Sequence, residues 1–269
     1  MAVVGMALTR AVSLGGGRTG PWRMVHRNYL AHRRSKVFFL TGFFEPLLYL
    51  FSIGVGVGQM IESFQFNGQT IAYAAFVAPG MLAASAMNGA ILDSTFSIFF
   101  KLKYEKLYDS VLATPMRTID VAAGEISWAL LRGGIYSTGF LLVMLAMGLV
   151  DSWWALLALP ATLLIGFAFA GAGMALTTFM RSWQDFEYVQ LAIIPMFLFS
   201  ATFFPVTAFD GLLRWVVEAT PLYRGVVLCR ELTTGAVSVD SAISVGYLLA
   251  MGGVGLLIAG RRLDKLLLH

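Results

Sequence analysis

Apolar residues in this chain gather into long runs, and polar residues collect in the gaps between them. Six runs stand out: Val37–Gly58, Ile71–Phe100, Gly133–Val150, Trp153–Met180, Tyr188–Val206 and Ser241–Gly260. A helix needs about 20 apolar residues to cross a bilayer, and a water-soluble core does not require runs of that length. The pattern predicts an all-α polytopic membrane protein with six transmembrane helices, near residues 37–58, 71–100, 119–150, 153–180, 188–206 and 241–260. The third is drawn from residue 119, ahead of its purely apolar part, so that it includes Glu125 and Arg132.

The gaps have their own patterns. Residues 1–20 read as a loose tail, with a break at Gly15-Gly16-Gly17. Ala2–Leu8 is too short for the apolar core of a signal peptide. Pro21 suits the first turn of a helix, here over residues 21–36. On a helical wheel Trp22, Val25 and Tyr29 share one face, flanked by Arg23, Arg27 and Arg34, and no acid occurs before Glu45. That arrangement fits a helix lying in the headgroup layer with its aromatic face in lipid. It also fits a basic anchor that only sets topology. Residues 101–118 are charged but carry Leu107, Val111 and Leu112 at helical spacing, with Pro115 expected to stop that helix. Asp151-Ser152 forms a tight turn, followed by Trp153 and Trp154 at interfacial depth. Residues 205–240 are too long for a hairpin turn. Asp210 can cap a helix bearing Leu212, Leu213, Val216 and Val217, and Pro221 separates it from a second apolar piece, Leu222–Leu228. Two short helices split by a proline predict a re-entrant external hairpin before the last span.

Charge orients the chain. With six crossings, 16 of the 19 basic residues fall on the side of the termini or at its edge, and only Arg214, Arg224 and Arg230 fall opposite. Cytoplasmic segments retain Lys and Arg, so both termini are expected in the cytoplasm. The composition agrees: 58% of residues are hydrophobic and 13% charged, against roughly 25% charged in soluble domains. The formal charge of +4 lies beside the spans, which selects membrane lipids as partners rather than nucleic acid.

Several chemistries are excluded by residue type. The single Cys229 permits no disulfide within the chain and no cysteine-based metal site. No lysine follows a glycine, so the G-x-x-x-x-G-K phosphate loop does not occur. His26 and His32 lie in a segment without carboxylates and His269 is the last residue, which argues against a Ser-His-Asp arrangement or a histidine metal site. No metal and no cofactor is expected in this chain, and no catalytic residue.

Charges inside spans are costly and tend to be functional. Glu45, Asp93 and Glu125 all fall roughly 10–12 Å in from the cytoplasmic ends of their helices, and Arg132 follows Glu125 by two turns. The four can form a polar layer along a pathway, or simply pair helices with one another.

At residues 104–125 the chain resembles a known family. Tyr104-Glu105-Lys106-Leu107-Tyr108-Asp109-Ser110-Val111-Leu112-Ala113-Thr114-Pro115, followed by Gly124-Glu125-Ile126, is similar to the first cytoplasmic loop of type-2 ABC exporter permeases. The Gly-Glu-x-x-Trp form (Gly124, Glu125, Trp128) looks most like the nodulation lipo-oligosaccharide exporter branch, beside the daunorubicin-resistance permeases. Pro221-Leu222-Tyr223 with Val226, Leu228 and Arg230 resembles the segment before the family's last span. The departure is Leu107, where many members place glycine.

The resemblance implies a transport subunit of a bacterial cytoplasmic (inner) membrane, not an enzyme, covering residues 21–269 as one transmembrane domain. It implies a separate cytoplasmic ATPase, which would carry the ATP and Mg, and a second permease chain, identical or related. Glu105, Tyr108, Asp109, Leu112 and Pro115 would form the ATPase-coupling surface, with Glu105 and Asp109 on one helix face. A hydrophobic or amphipathic substrate (drug, glycolipid or lipid-linked saccharide) would pass along Phe96, Phe99, Phe197, Phe199, Phe203 and Phe204, residues that otherwise contact lipid. The rival reading is a proton-coupled secondary transporter using the intramembrane carboxylates, which would call for inverted repeats. The halves do not pair in that way, since the first three spans carry intramembrane acids and the last three none.

Overall fold

A computed structural model of the chain describes residues 20–32, 44, 47–48, 50–57, 64–66 and 69–267. Half of the predicted first span, Glu45 included, lies outside the described residues, and Arg34 lies outside them as well. The described residues are almost entirely helical. The first described helix is α1 (Gly20–His32), and two three-residue strands, β1 (Phe64–Phe66) and β2 (Gln69–Ile71), pair antiparallel just before Tyr73.

Among the described residues four helical stretches are long and apolar enough to cross a bilayer: Tyr73–Lys103, Thr118–Ala146, Trp153–Thr177 and Val239–Leu267. The first is α2 (Tyr73–Leu92), a π turn over Asp93–Ser97, and α3 (Ile98–Lys103). After the short α4 (Leu107–Leu112) comes α5 (Thr118–Ala146). The carboxylate of Asp120 accepts the N–H of Arg117 at 3.2 Å at its start, and Gly148 at φ +67° ends it, a left-handed position that glycine takes without cost. α6 (Ala158–Thr177) follows a 3-10 turn over Trp153–Leu157, opened by Ser152, whose hydroxyl accepts the N–H of Trp154 at 3.2 Å.

The predicted fifth span is shorter than its apolar run. It forms α7 (Phe186–Leu198), 13 residues, which rise about 20 Å against a hydrocarbon core of about 30 Å. Pro195 lies in its last turn, and the backbone beyond Leu198 is irregular up to a short 3-10 turn at Val206–Ala208. The segment before the last span forms α8 (Gly211–Ala219) and α9 (Pro221–Thr234). Asp210 precedes α8 but makes no capping hydrogen bond, contrary to expectation. The hydroxyl of Thr220 caps α9 instead, accepting the N–H of Tyr223 at 3.4 Å. The last helix is α10 (Val239–Leu267).

The core is a bundle of α2, α5, α6, α9 and α10, with α1 laid along the start of α5. α6 and α10 meet through glycine: a Cβ on Gly171 would fall 2.6 Å from the carbonyl oxygen of Gly252, so only glycine permits this backbone approach.

Candidate functional site

The charged segment after α3 is built around a break. Lys106 adopts φ +47°, a left-handed conformation, between Lys103 and the start of α4. Glu105 therefore precedes α4 in a bend, and does not share a helix face with Asp109 as the four-residue spacing predicted. Both remain exposed, as does Pro115. Leu112 is half-buried and packs with Leu107 and Val111 on the core. Tyr108 departs furthest from expectation: it is fully buried and turned inward, so it cannot form part of an outer contact surface.

The target of Tyr108 is Glu125. Its hydroxyl donates to Glu125 Oε1 at 3.2 Å. The other carboxylate oxygen receives Lys101 Nζ at 2.7 Å and Asn28 Nδ2 at 2.9 Å. Lys101 Nζ also donates to Asn28 Oδ1 at 3.3 Å. These four side chains come from α4, α5, α3 and α1, and each is buried. A buried carboxylate is tolerable when a cation and further hydrogen bonds satisfy it, and Glu125 has both.

Glycine permits this junction. A Cβ on Gly124 would lie 2.5 Å from Met24 Cβ and 2.8 Å from the carbonyl oxygen of Pro21. α1 thus seats on α5 through Met24, Val25 and Asn28, all buried. Val25 was expected on the lipid face with Trp22 and Tyr29. It faces the protein instead, whereas Trp22 and Tyr29 are exposed. Arg23 is exposed and Arg27 half-buried.

The intramembrane charges do not form one layer. Arg132 pairs with Asp93, at the first residue of the π turn, and both side chains are largely buried. Since Arg132 lies two turns beyond Glu125 on α5, the Asp93 pair and the Glu125 cluster sit about 10 Å apart along the helix. The π turn is braced from α6: Thr177 Oγ1 donates to the carbonyl of Ser94 at 3.0 Å.

The six phenylalanines separate into groups and do not line a common surface. Phe96 stacks on Phe186 with centroids 4.1 Å apart and meets Trp183 edge-on, and Phe99 packs against the same Phe186. Those contacts tie α3 and the π turn to the loop before α7. In that loop the backbone N–H groups of Arg181 and Ser182 hold the Asp185 carboxyl below its usual range. Phe197 meets Phe203 edge-on, Phe199 lies against Phe209, and Phe204 is exposed. A cleft of about 620 Å³ does exist, between α2, α6, α7 and α10, but other residues line it, among them Ile91, Phe169, Leu176, Val189, Ile193 and Met251. Arg181 and Asp185 also border it.

Two further features were missed in the sequence. Arg230 is buried, donates to the carbonyls of Ala201 and Phe76, and stacks 3.9 Å above the Phe76 ring. Asn28 carried a signal that was available: it falls four residues after Met24, on the buried stripe of α1.

Comparison with known proteins agrees with this architecture. The ABC-2 type transporter family matches residues 21–233. Nodulation protein J of Rhizobium leguminosarum bv. trifolii is 33% identical over 239 residues, covering 88% of this chain and 89% of that protein. Nodulation protein J of Rhizobium meliloti (strain 1021) is 31% identical over 230 residues, covering 84% and 85%. That of Bradyrhizobium diazoefficiens is 28% identical over 232 residues, covering 86% of each. A family match over most of the chain, together with relatives above 30% identity along nearly its full length, makes this multi-pass membrane protein a member of the ABC-2 type transporter family, a permease subunit and not itself an enzyme.

Proposed function

We propose that this chain is the permease subunit of an exporter in the bacterial cytoplasmic membrane, with both termini in the cytoplasm. It pairs with a second permease chain and is driven by a separate ATPase, which carries ATP and Mg. Its substrate is hydrophobic or amphipathic, a reading favoured by the apolar cleft beside α7. The observation that carries the proposal is the coupling segment: Asp109 is exposed on the short helix α4, Glu105 and Pro115 are exposed just before and after it, and the inner side of the helix is fastened by Tyr108 and Leu112. An outer face that is charged and an inner face that is locked are what a docking element needs to pass on a push. Among the described residues nothing favours the proton-coupled alternative: Asp93 and Glu125 are each engaged by a cation.

The test is charge reversal at the docking face. Glu105→Lys and Asp109→Lys should leave the permease inserted, with stability within about 0.5 kcal/mol of wild type, as for exposed substitutions generally. Co-purification of the partner ATPase should fall. Undiminished co-purification with both reversals in place would remove the docking role from this segment.

A further inference from the structure

We infer that Glu125 is a positioning residue that makes α1, α4 and the first turns of α5 move as one rigid body when the ATPase pushes on the coupling segment. The inference rests on the ATPase docking proposed above. Side chains from three other helices converge on the carboxylate of Glu125. Asn28 comes from α1, Lys101 from α3, Tyr108 from α4, and Glu125 from α5.

Apolar packing alone would allow these helices to slide, since dispersion contacts have little directional preference. A buried carboxylate is different. Each partner sits at hydrogen-bond distance, and pulling one away leaves a charged or polar group unsatisfied in a dry site, which is costly. Displacing α4 therefore pulls α1 and α5 with it rather than shearing against them. The covering is tight on the α1 side as well, because Gly124 admits the α1 backbone to contact. On the N-terminal side of Lys101, α3 grows out of the π turn, and that turn begins with Asp93 on Arg132. The clamp thus stands at the root of the route by which a push on α4 reaches the middle of the bundle.

The rigid-body claim can be tested without knowing the substrate. Spin labels placed at the exposed positions His26 on α1 and Ser110 on α4 report the separation of the two helices. The complex of permease and ATPase, reconstituted in phosphatidylglycerol–phosphatidylethanolamine nanodiscs, is measured nucleotide-free and trapped with ADP–vanadate. The wild-type distance distribution should be the same in both states. Tyr108→Phe, which removes only the hydroxyl, and Glu125→Gln, which removes the charge, should each broaden or shift it in the trapped state. The Lys101→Glu/Glu125→Lys exchange should restore a narrow distribution more fully than Glu125→Lys alone. A wild-type distance that changes on trapping, or a Tyr108→Phe distribution identical to wild type in both states, overturns the inference while leaving the ATPase reading intact. Failure of the wild-type permease to retain any ATPase overturns both.

Discussion

Arg132 on α5 and Asp93 at the start of the π turn form an ion pair between the Thr118–Ala146 and Tyr73–Lys103 helices, with both side chains largely removed from solvent. The pair joins a helix irregularity to a straight neighbour. π turns leave backbone groups out of the regular ladder and often mark functional positions, and this one is held from both sides, by Arg132 and by Thr177.

The pair predicts a particular pattern of stabilities. Arg132→Ala strands Asp93 as an uncompensated charge, a loss of about 3–5 kcal/mol when one member of a buried pair is removed. Arg132→Leu with Asp93→Leu removes both charges and should be less destabilising than Arg132→Ala alone. Thermal unfolding of the detergent-purified single and double variants measures this. Additive losses at the two positions would show that the pair contributes no coupling energy.

Gly124 predicts the seating of α1. The groups that a Cβ would meet there are a side-chain Cβ and a backbone carbonyl, and neither can swing aside. Gly124→Ala should therefore lift α1 and destabilise the protein by about 1–3 kcal/mol, the usual range for overpacking. Trypsin should then cut faster after Arg23 and Arg27. Gly133→Ala on the same helix, where nothing lies within 4 Å, should do neither.

The long apolar runs were legible because a membrane span imposes a length and a composition that few other structures share. The phase of the coupling segment was not. It depends on Lys106 taking a left-handed conformation, and lysine carries no sign of that, whereas a glycine would have. A continuous helix puts Glu105 beside Asp109; the break turns Tyr108 inward and leaves Glu105 in a bend. Glu125 was visible as an unusual charge, but its partners Asn28 and Lys101 are 97 and 24 residues away in sequence. Lys101 was counted only as a membrane-edge cation. The phenylalanines misled for a simpler reason: in so apolar a chain, aromatic residues pack helices together as readily as they line a passage.

Topology gives a third prediction. In a Cys229→Ala background, cysteines at positions 67 and 151 should react with a membrane-impermeant maleimide from outside. Cysteines at 106 and 265 should not. Cys229 is fully buried, so the background change should itself alter labelling little. Outside labelling of position 106 would reverse the orientation that the basic residues imply.

The last prediction concerns Arg230 and the irregular chain after α7. The guanidinium donates to the carbonyl of Ala201 at 2.9 Å, to Thr202 at 3.4 Å and to Phe76 at 3.3 Å. Phe76 lies three residues before Pro79, whose missing N–H opens the α2 ladder in that region. Ala201 is buried at φ +56°, a conformation that disfavours any side chain by roughly 1–2 kcal/mol. One planar group thus holds a strained loop against a loosened helix. Lysine keeps the charge but lacks the fork and the flat face that stacks on Phe76. Arg230→Lys should therefore cost about 1.5–3 kcal/mol, the range for hydrogen bonds made by charged groups. Arg230→Met, which leaves the same carbonyls without a donor, should cost at least as much. Ala201→Gly should raise the unfolding temperature, because it relieves the strain and leaves the carbonyl in place. If Arg230→Lys unfolds at the wild-type temperature, positive charge alone is sufficient at this position and the directional contacts do not hold the loop.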